Sequence, residues 1–160
     1  MVGFKIDEVM VGTHRFLSGM GPSGEFPLNF TLTWGNKDLL KFLNPTSDKF
    51  LHSEARGIIT VGGLVDRAEC YGSLHLLYFT ERKVRYELNF EDDNGRQYRY
   101  VGEKVNIWPW NIYRTHFTCY GTITDLETGK IISESVVKFP YREIIPFVMS
   151  TRLRFGSVFK

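Results

Sequence analysis

Only two cysteines, Cys70 and Cys119, occur in 160 residues. Two thiols this far apart make no disulfide framework, so both are expected as buried free thiols. Residues 1–8 carry no apolar signal-peptide core, and the chain is therefore read as cytoplasmic. No apolar run approaches the length of a membrane span. An excess of charge is missing too: 20 basic and 18 acidic residues leave a net charge of +2. Without a basic run there is no electrostatic footprint for nucleic acid, and aromatic side chains alone do not make a single-strand stacking groove.

Signature motifs of chemistry are equally scarce. Residues 57–63, Gly-Ile-Ile-Thr-Val-Gly-Gly, fall within an expected strand. They lack the Lys-Ser/Thr ending and the strand–turn–helix context of a phosphate-binding loop. Gly19, Gly21 and Gly24 have the spacing of a dinucleotide fingerprint, yet they lead into Glu25-Phe26-Pro27 and another strand rather than a helix. Four histidines, His14, His52, His75 and His116, sit on four different expected strands with no metal-ligand spacing. They are read as neutral, hydrogen-bonded rings in a barrel wall, and neither a metal nor a cofactor is expected.

What the chain does have is aromatics and alternation. Thirteen Phe, eight Tyr and three Trp make up 15% of it, a composition that suits pleated, half-buried surfaces. Between residues 83 and 105, Val84, Tyr86, Leu88 and Phe90 share one face while Arg85, Glu87 and Asn89 share the other. Asp92-Asp93-Asn94-Gly95 then supplies a tight turn, and Tyr98, Tyr100 and Gly102 oppose Arg99, Val101 and Glu103 on the return. The same period-2 pattern predicts strands over residues 8–17, 26–34, 49–61, 68–79, 113–124 and 130–139. Short helices are expected at 37–43 and near Ile144–Met149, the second closing one end. Eight strands joined mostly by short turns predict a single all-β domain over residues 1–160, an antiparallel up-and-down barrel without free edges. A bulge at Gly62-Gly63 would exchange inner and outer faces beyond it.

Some polar residues lie on otherwise apolar faces. His14 shares one with Met10 and Phe16, and Lys104 follows Tyr98, Tyr100 and Gly102 in register. An inward Lys104 needs a partner, and Glu8, on the face of Met10 and Gly12, is a candidate. The plainer reading places Lys104 near the barrel mouth, reaching water along its flexible stem. Arg114, His116 and Tyr120 share one face of the seventh strand, with Phe117, Cys119 and Ile123 on the other. Trp108-Pro109-Trp110 is either a rim over a pocket or a plug.

The order of several segments carries a family resemblance. They are Glu8-Val9-Met10-Val11-Gly12, Gly57-Ile58-Ile59-Thr60-Val61-Gly62-Gly63-Leu64 and Gly72-Ser73-Leu74-His75-Leu76. Val84-Arg85-Tyr86-Glu87-Leu88-Asn89-Phe90 and Tyr98-Arg99-Tyr100-Val101-Gly102-Glu103-Lys104-Val105 follow. Over residues 6–153 the chain resembles the lipocalin-like β-barrel module that accompanies sterol-oxidase-like glucose–methanol–choline oxidoreductases in some large bacterial proteins. The resemblance implies a lipocalin-type barrel associated with lipid or sterol metabolism, with an oxidoreductase or other protein as a partner. It imports no catalytic residue, since flavin and active site belong to the other domain. The barrel stands alone here, and the stretch from Trp108 to Ile112 diverges.

The expected function is therefore non-catalytic binding of a small, largely apolar molecule such as a fatty acid or sterol. Tyr86, Tyr98 and Tyr100 are expected in the cavity wall, with His14, Lys104 and His116 as polar contacts. Two alternatives stay open. One is an isomerase or cyclase working inside the cavity through His14, His75, His116, Lys104 or Glu87. The other is a solid barrel that serves as an interaction module for a partner protein.

Overall fold

A computed structural model describes residues 2–105, 118–140 and 152–155. The strands are β1 (Val2–Phe16), β2 (Glu25–Asn36), β3 (His52–Val61), β4 (Val65–Leu77), β5 (Lys83–Glu91), β6 (Gln97–Lys104), β7 (Thr118–Asp125), β8 (Lys130–Lys138) and β9 (Arg152–Phe155). Each of β1 to β7 pairs antiparallel with the next, and β8 returns to β1, so eight strands close into the expected barrel. The ninth strand lies outside the ring and pairs with residues 2–5 of β1.

Closure depends on the length of β1. Its first part pairs with β2 from Phe4 to Arg15, while its second half also holds β8 from Val11 to Phe16. It begins six residues before the alternation in the sequence becomes clean, because Val2-Gly3-Phe4-Lys5-Ile6 gains its partners from β2 and β9 rather than from its own pattern.

Two helices are described, α1 (Leu39–Leu43) and α2 (Tyr78–Glu81). Helix α1 is shorter than the expected 37–43, because Asp38 caps it by accepting a hydrogen bond from the Lys41 N–H at 3.1 Å. Helix α2 was not anticipated. It begins in the last two residues of the predicted fourth strand and ends on Arg82, which takes the left-handed conformation (φ 54°). The expected helix near Ile144–Met149, the 113–117 part of the seventh strand and Trp108-Pro109-Trp110 lie outside the described residues.

The β5–β6 hairpin forms as read. Asp92 accepts from the Asn94 and Arg96 N–H groups, both at 2.9 Å, and Gly95 supplies the positive φ of 78°. Gly62 and Gly63 turn β3 into β4, and the register shift falls just before them, between Ile59 and Val61. Ile59 and Val61 both stay buried on β3, but β4 takes up one extra residue across the shift. Val61 pairs with Val65 and Ile59 with Ala68, so the inward positions of β4 pass from odd to even at Asp66-Arg67, where Arg67 has a φ of 52°.

One set of alternating side chains from every barrel strand points inward. Met10, Leu28, Phe30, Leu32, Ile59, Leu74, Tyr86, Leu88, Phe90, Tyr100 and Ile123 are all essentially inaccessible to solvent. Tyr100 fills the space over Gly102 and Gly121; a Cβ at Gly121 would lie 2.6 Å from its ring. Cys70 and Cys119 are free, buried thiols, as expected.

Candidate functional site

The barrel has two chemically different ends. At one end lie the β1–β2 loop and the turns after β3, β5 and β7. At the other lie α1, α2 and the ends of β6 and β8.

The turn-lined end is built on His14. Its Nε2 lies 2.8 Å from the Gly62 carbonyl and its Nδ1 lies 2.7 Å from the Ser133 hydroxyl. Burial lowers the pKa of the ring below its ordinary 6.5, so imidazole rather than imidazolium is the form held here. The carbonyl can only accept, which places the proton on Nε2; Nδ1 is then an acceptor facing the Ser133 hydroxyl, whose single proton is shared between it and the Arg15 carbonyl 3.1 Å away. Phe16 packs edge-on to this ring at 4.9 Å. Tyr98 belongs to the same end, stacked on Phe90 at 5.6 Å with its hydroxyl 3.4 Å from Asp92. Nearby, Arg96 pairs with Asp125 and holds its carboxyl below the usual range.

The helix-covered end holds a buried polar cluster. Lys104 and Glu8 are 2% and 4% exposed, and Lys104 Nζ donates to Glu8 Oε1 at 2.9 Å. The Tyr86 hydroxyl donates to the same carboxylate, 2.9 Å from Oε1 and 3.0 Å from Oε2, and Trp34 Nε1 donates to Oε2 at 3.2 Å. Burial, followed by the charge of Glu8, pushes the Tyr86 phenol well above its ordinary pKa, which keeps it a donor. Lys104 also lies over the Tyr86 ring, 5.1 Å from its centre. Its ammonium thus spends one N–H on Glu8 and turns a face to an aromatic ring. Among the described residues no other acceptor reaches it.

Register explains half of this cluster. Glu8 pairs with Leu32, so Trp34 is its diagonal neighbour on β2; Val84 pairs with Lys104, so Tyr86 is the diagonal neighbour of Lys104. Nothing local joins the two halves. They come from strands on opposite sides of the barrel and meet across its interior. The expectation that Lys104 reaches water along its stem is corrected here: its ammonium is buried, and Glu8 is its partner.

Of the six expected ligand contacts, Tyr86 and Lys104 come together at the helix-covered end. Tyr100 packs one step deeper, its ring 5.4 Å from Phe30, which also touches Tyr86 at 5.9 Å. His14 and Tyr98 lie at the opposite end, and His116 is outside the described residues. Trp34 did not stand out in the sequence, where it is simply the last apolar residue of an alternating strand. Of the residues considered for catalysis in the cavity, His75 and Glu87 lie on the outer wall. His75 faces His52, and Glu87 pairs with Arg99 at 3.4 Å.

Three depressions are described, and all lie outside the packed centre. The largest, about 830 Å³, runs over the outer face of β6, β7, β8 and β1, with Val101, Glu103, Tyr120, Glu134 and Val136 in its floor. A second of about 600 Å³ lies over β3 and β4, and a third of about 380 Å³ borders the turns beside Arg96 and Asp125. No group of three or more metal-ligating side chains occurs among the described residues, and no helix there is long and apolar enough to cross a membrane.

No protein-family model, curated protein or solved structure matches the chain.

Proposed function

We propose that the barrel binds a small molecule with an apolar body and an oxygen-bearing, acceptor-rich head, received at the helix-covered end. One observation carries this reading: Lys104 holds an ammonium in an apolar interior with a single hydrogen-bond acceptor among the described residues. An ammonium has three donors, and removing it from water costs several kcal/mol unless they are used. A carboxylate or hydroxyl head would use them. Glu8, Tyr86 and Trp34 would orient the lysine, while Phe4, Phe42, Val84 and Phe139, buried around the same end, would meet the apolar body. A fatty acid fits that description, and a sterol hydroxyl fits it less fully. The filled centre argues against a ligand threaded along the whole barrel, so the site would occupy this end alone.

A second reading is favoured by that same filled centre. Tightly packed inward rings, together with a depression of about 830 Å³ on the outer wall, suit an interaction module for a partner protein.

A fluorescent long-chain fatty acid and its methyl ester separate the two. On the ligand reading the acid binds at micromolar concentration, the ester binds at least tenfold more weakly, and Lys104→Met abolishes the difference. Failure of the wild-type protein to take up the acid, or equal uptake of acid and ester, would overturn it.

A further inference from the structure

His52 and His75 are direct cross-strand partners on β3 and β4. The Leu76 N–H donates to the Leu51 carbonyl at 2.9 Å, which makes Leu51 and Leu76 the hydrogen-bonded pair. The histidines one step along therefore occupy a non-hydrogen-bonded pair, where side chains of an antiparallel sheet come closest. Both belong to the outer face: the residues beside them, Ser53 and Leu74, point into the core. The two rings are 5.3 Å apart, centre to centre, and nearly perpendicular at 81°. Both side chains are partly exposed, and neither imidazole hydrogen-bonds to a described residue. That sets them apart from His14, whose ring nitrogens are both engaged.

We propose that His52 and His75 form a two-imidazole chelate for a divalent transition-metal ion of the zinc, copper or nickel class. The spacing suits it. With a metal–nitrogen bond of about 2.0–2.1 Å, and the ring centre roughly 1 Å behind the nitrogen, two imidazoles at a tetrahedral angle have their centres about 5 Å apart. Imidazole is a ligand these ions share, and the sheet supplies the preorganisation that two freely moving rings lack. Two protein ligands leave the other positions to water. Surrounding charges are of both signs: Glu54 and Glu87 act favourably on a cation here, Lys49 and Arg85 unfavourably. The site is independent of the Lys104 cluster, which lies on the other side of the barrel wall.

The test is calorimetric titration of the tag-free protein with nickel chloride at pH 7.5, repeated with His52→Gln and His75→Gln. Both substitutions lie on the outer wall, and circular dichroism verifies that each variant is folded. The wild-type protein is expected to bind one ion per chain, and each variant alone to bind at least about tenfold more weakly, because a chelate needs both arms. Nickel should likewise raise the thermal unfolding midpoint of the wild type and of neither variant. No binding by the wild type at millimolar nickel would overturn the proposal. So would a loss confined to one variant, which would mean a single-histidine contact, or retention of binding in both.

Discussion

Neutralising both members of the Glu8–Lys104 pair should cost far less stability than neutralising either one. Glu8→Gln keeps an amide oxygen for the Tyr86 and Trp34 donors but leaves the Lys104 ammonium, now 2% exposed, without a counter-charge. Breaking a buried pair in this way costs about 3–5 kcal/mol. Lys104→Met strands the carboxylate instead, with only two neutral donors left to hold it, and should cost an amount in the same range. In the double variant no charge remains, the amide oxygen accepts from Tyr86 and Trp34, and methionine fills the volume of the lysine stem. The amide's own N–H groups then find at most the Tyr86 oxygen, and leaving neutral donors unpaired costs about 1–3 kcal/mol, which better apolar packing offsets in part. Equilibrium urea unfolding at pH 7 reads all four proteins. In a double-mutant cycle the coupling should reach about 3 kcal/mol or more, with the double variant more stable than either single one. At roughly 2–4 °C per kcal/mol for a chain this long, the single variants should also melt about 6–20 °C lower. Additive losses, or single-variant costs below about 1 kcal/mol, would refute the reasoning, since charges truly buried together cannot be removed independently.

Two further predictions follow from the other buried groups. His14 and His52 both have pKa values lowered by burial, so the unfolded chain binds more protons than the folded one as pH falls below 6.5. Their stabilisation is complete above that pH and is lost as pH falls through the folded values; urea midpoints should therefore drop between pH 7 and 5, and drop less in His14→Gln, whereas an unchanged slope would count against the neutral ring. Burial pushes the Cys70 thiol up to about 12 and the Cys119 thiol up to about 11. Neither should react with an aromatic disulfide reagent at pH 8 until the barrel unfolds, when both should titrate; rapid reaction in the native state would show that the wall opens.

Much of the barrel was legible because strand alternation is a local property. Val84 to Phe90 and Tyr98 to Lys104 separate into two faces by period alone, and the Asp92–Gly95 turn joins them as a hairpin, in which the structure sets Leu88 opposite Tyr100. The fourth strand was harder. Tyr78-Phe79 continues the apolar pattern of β4, but residues 78–81 fold as a helical turn, and Arg82 leaves the extended region there and resets the chain before β5. The first strand runs longer than its own pattern for the opposite reason. Residues 2–7 have little alternation of their own and become a strand through pairing with β2 and β9.

The same division applies to function. Sequence by itself determined that the protein is an all-β barrel with an aromatic interior, and that Lys104, if it faced inward, would need a partner, for which Glu8 is a candidate. Those conclusions rest on side-chain period and on the cost of a lone buried charge, neither of which requires distant parts of the chain to be placed. Closure decided the rest. Glu8 and Lys104 are 96 residues apart on strands that do not pair, and only the return of β8 to β1 brings them across the interior to 2.9 Å. His52 and His75 depend on a register set by the Gly62-Gly63 turn, where a slip of one residue would send the rings to different faces. Alternation says which side of its own strand a residue takes, but which other residue it meets there is a property of the closed sheet.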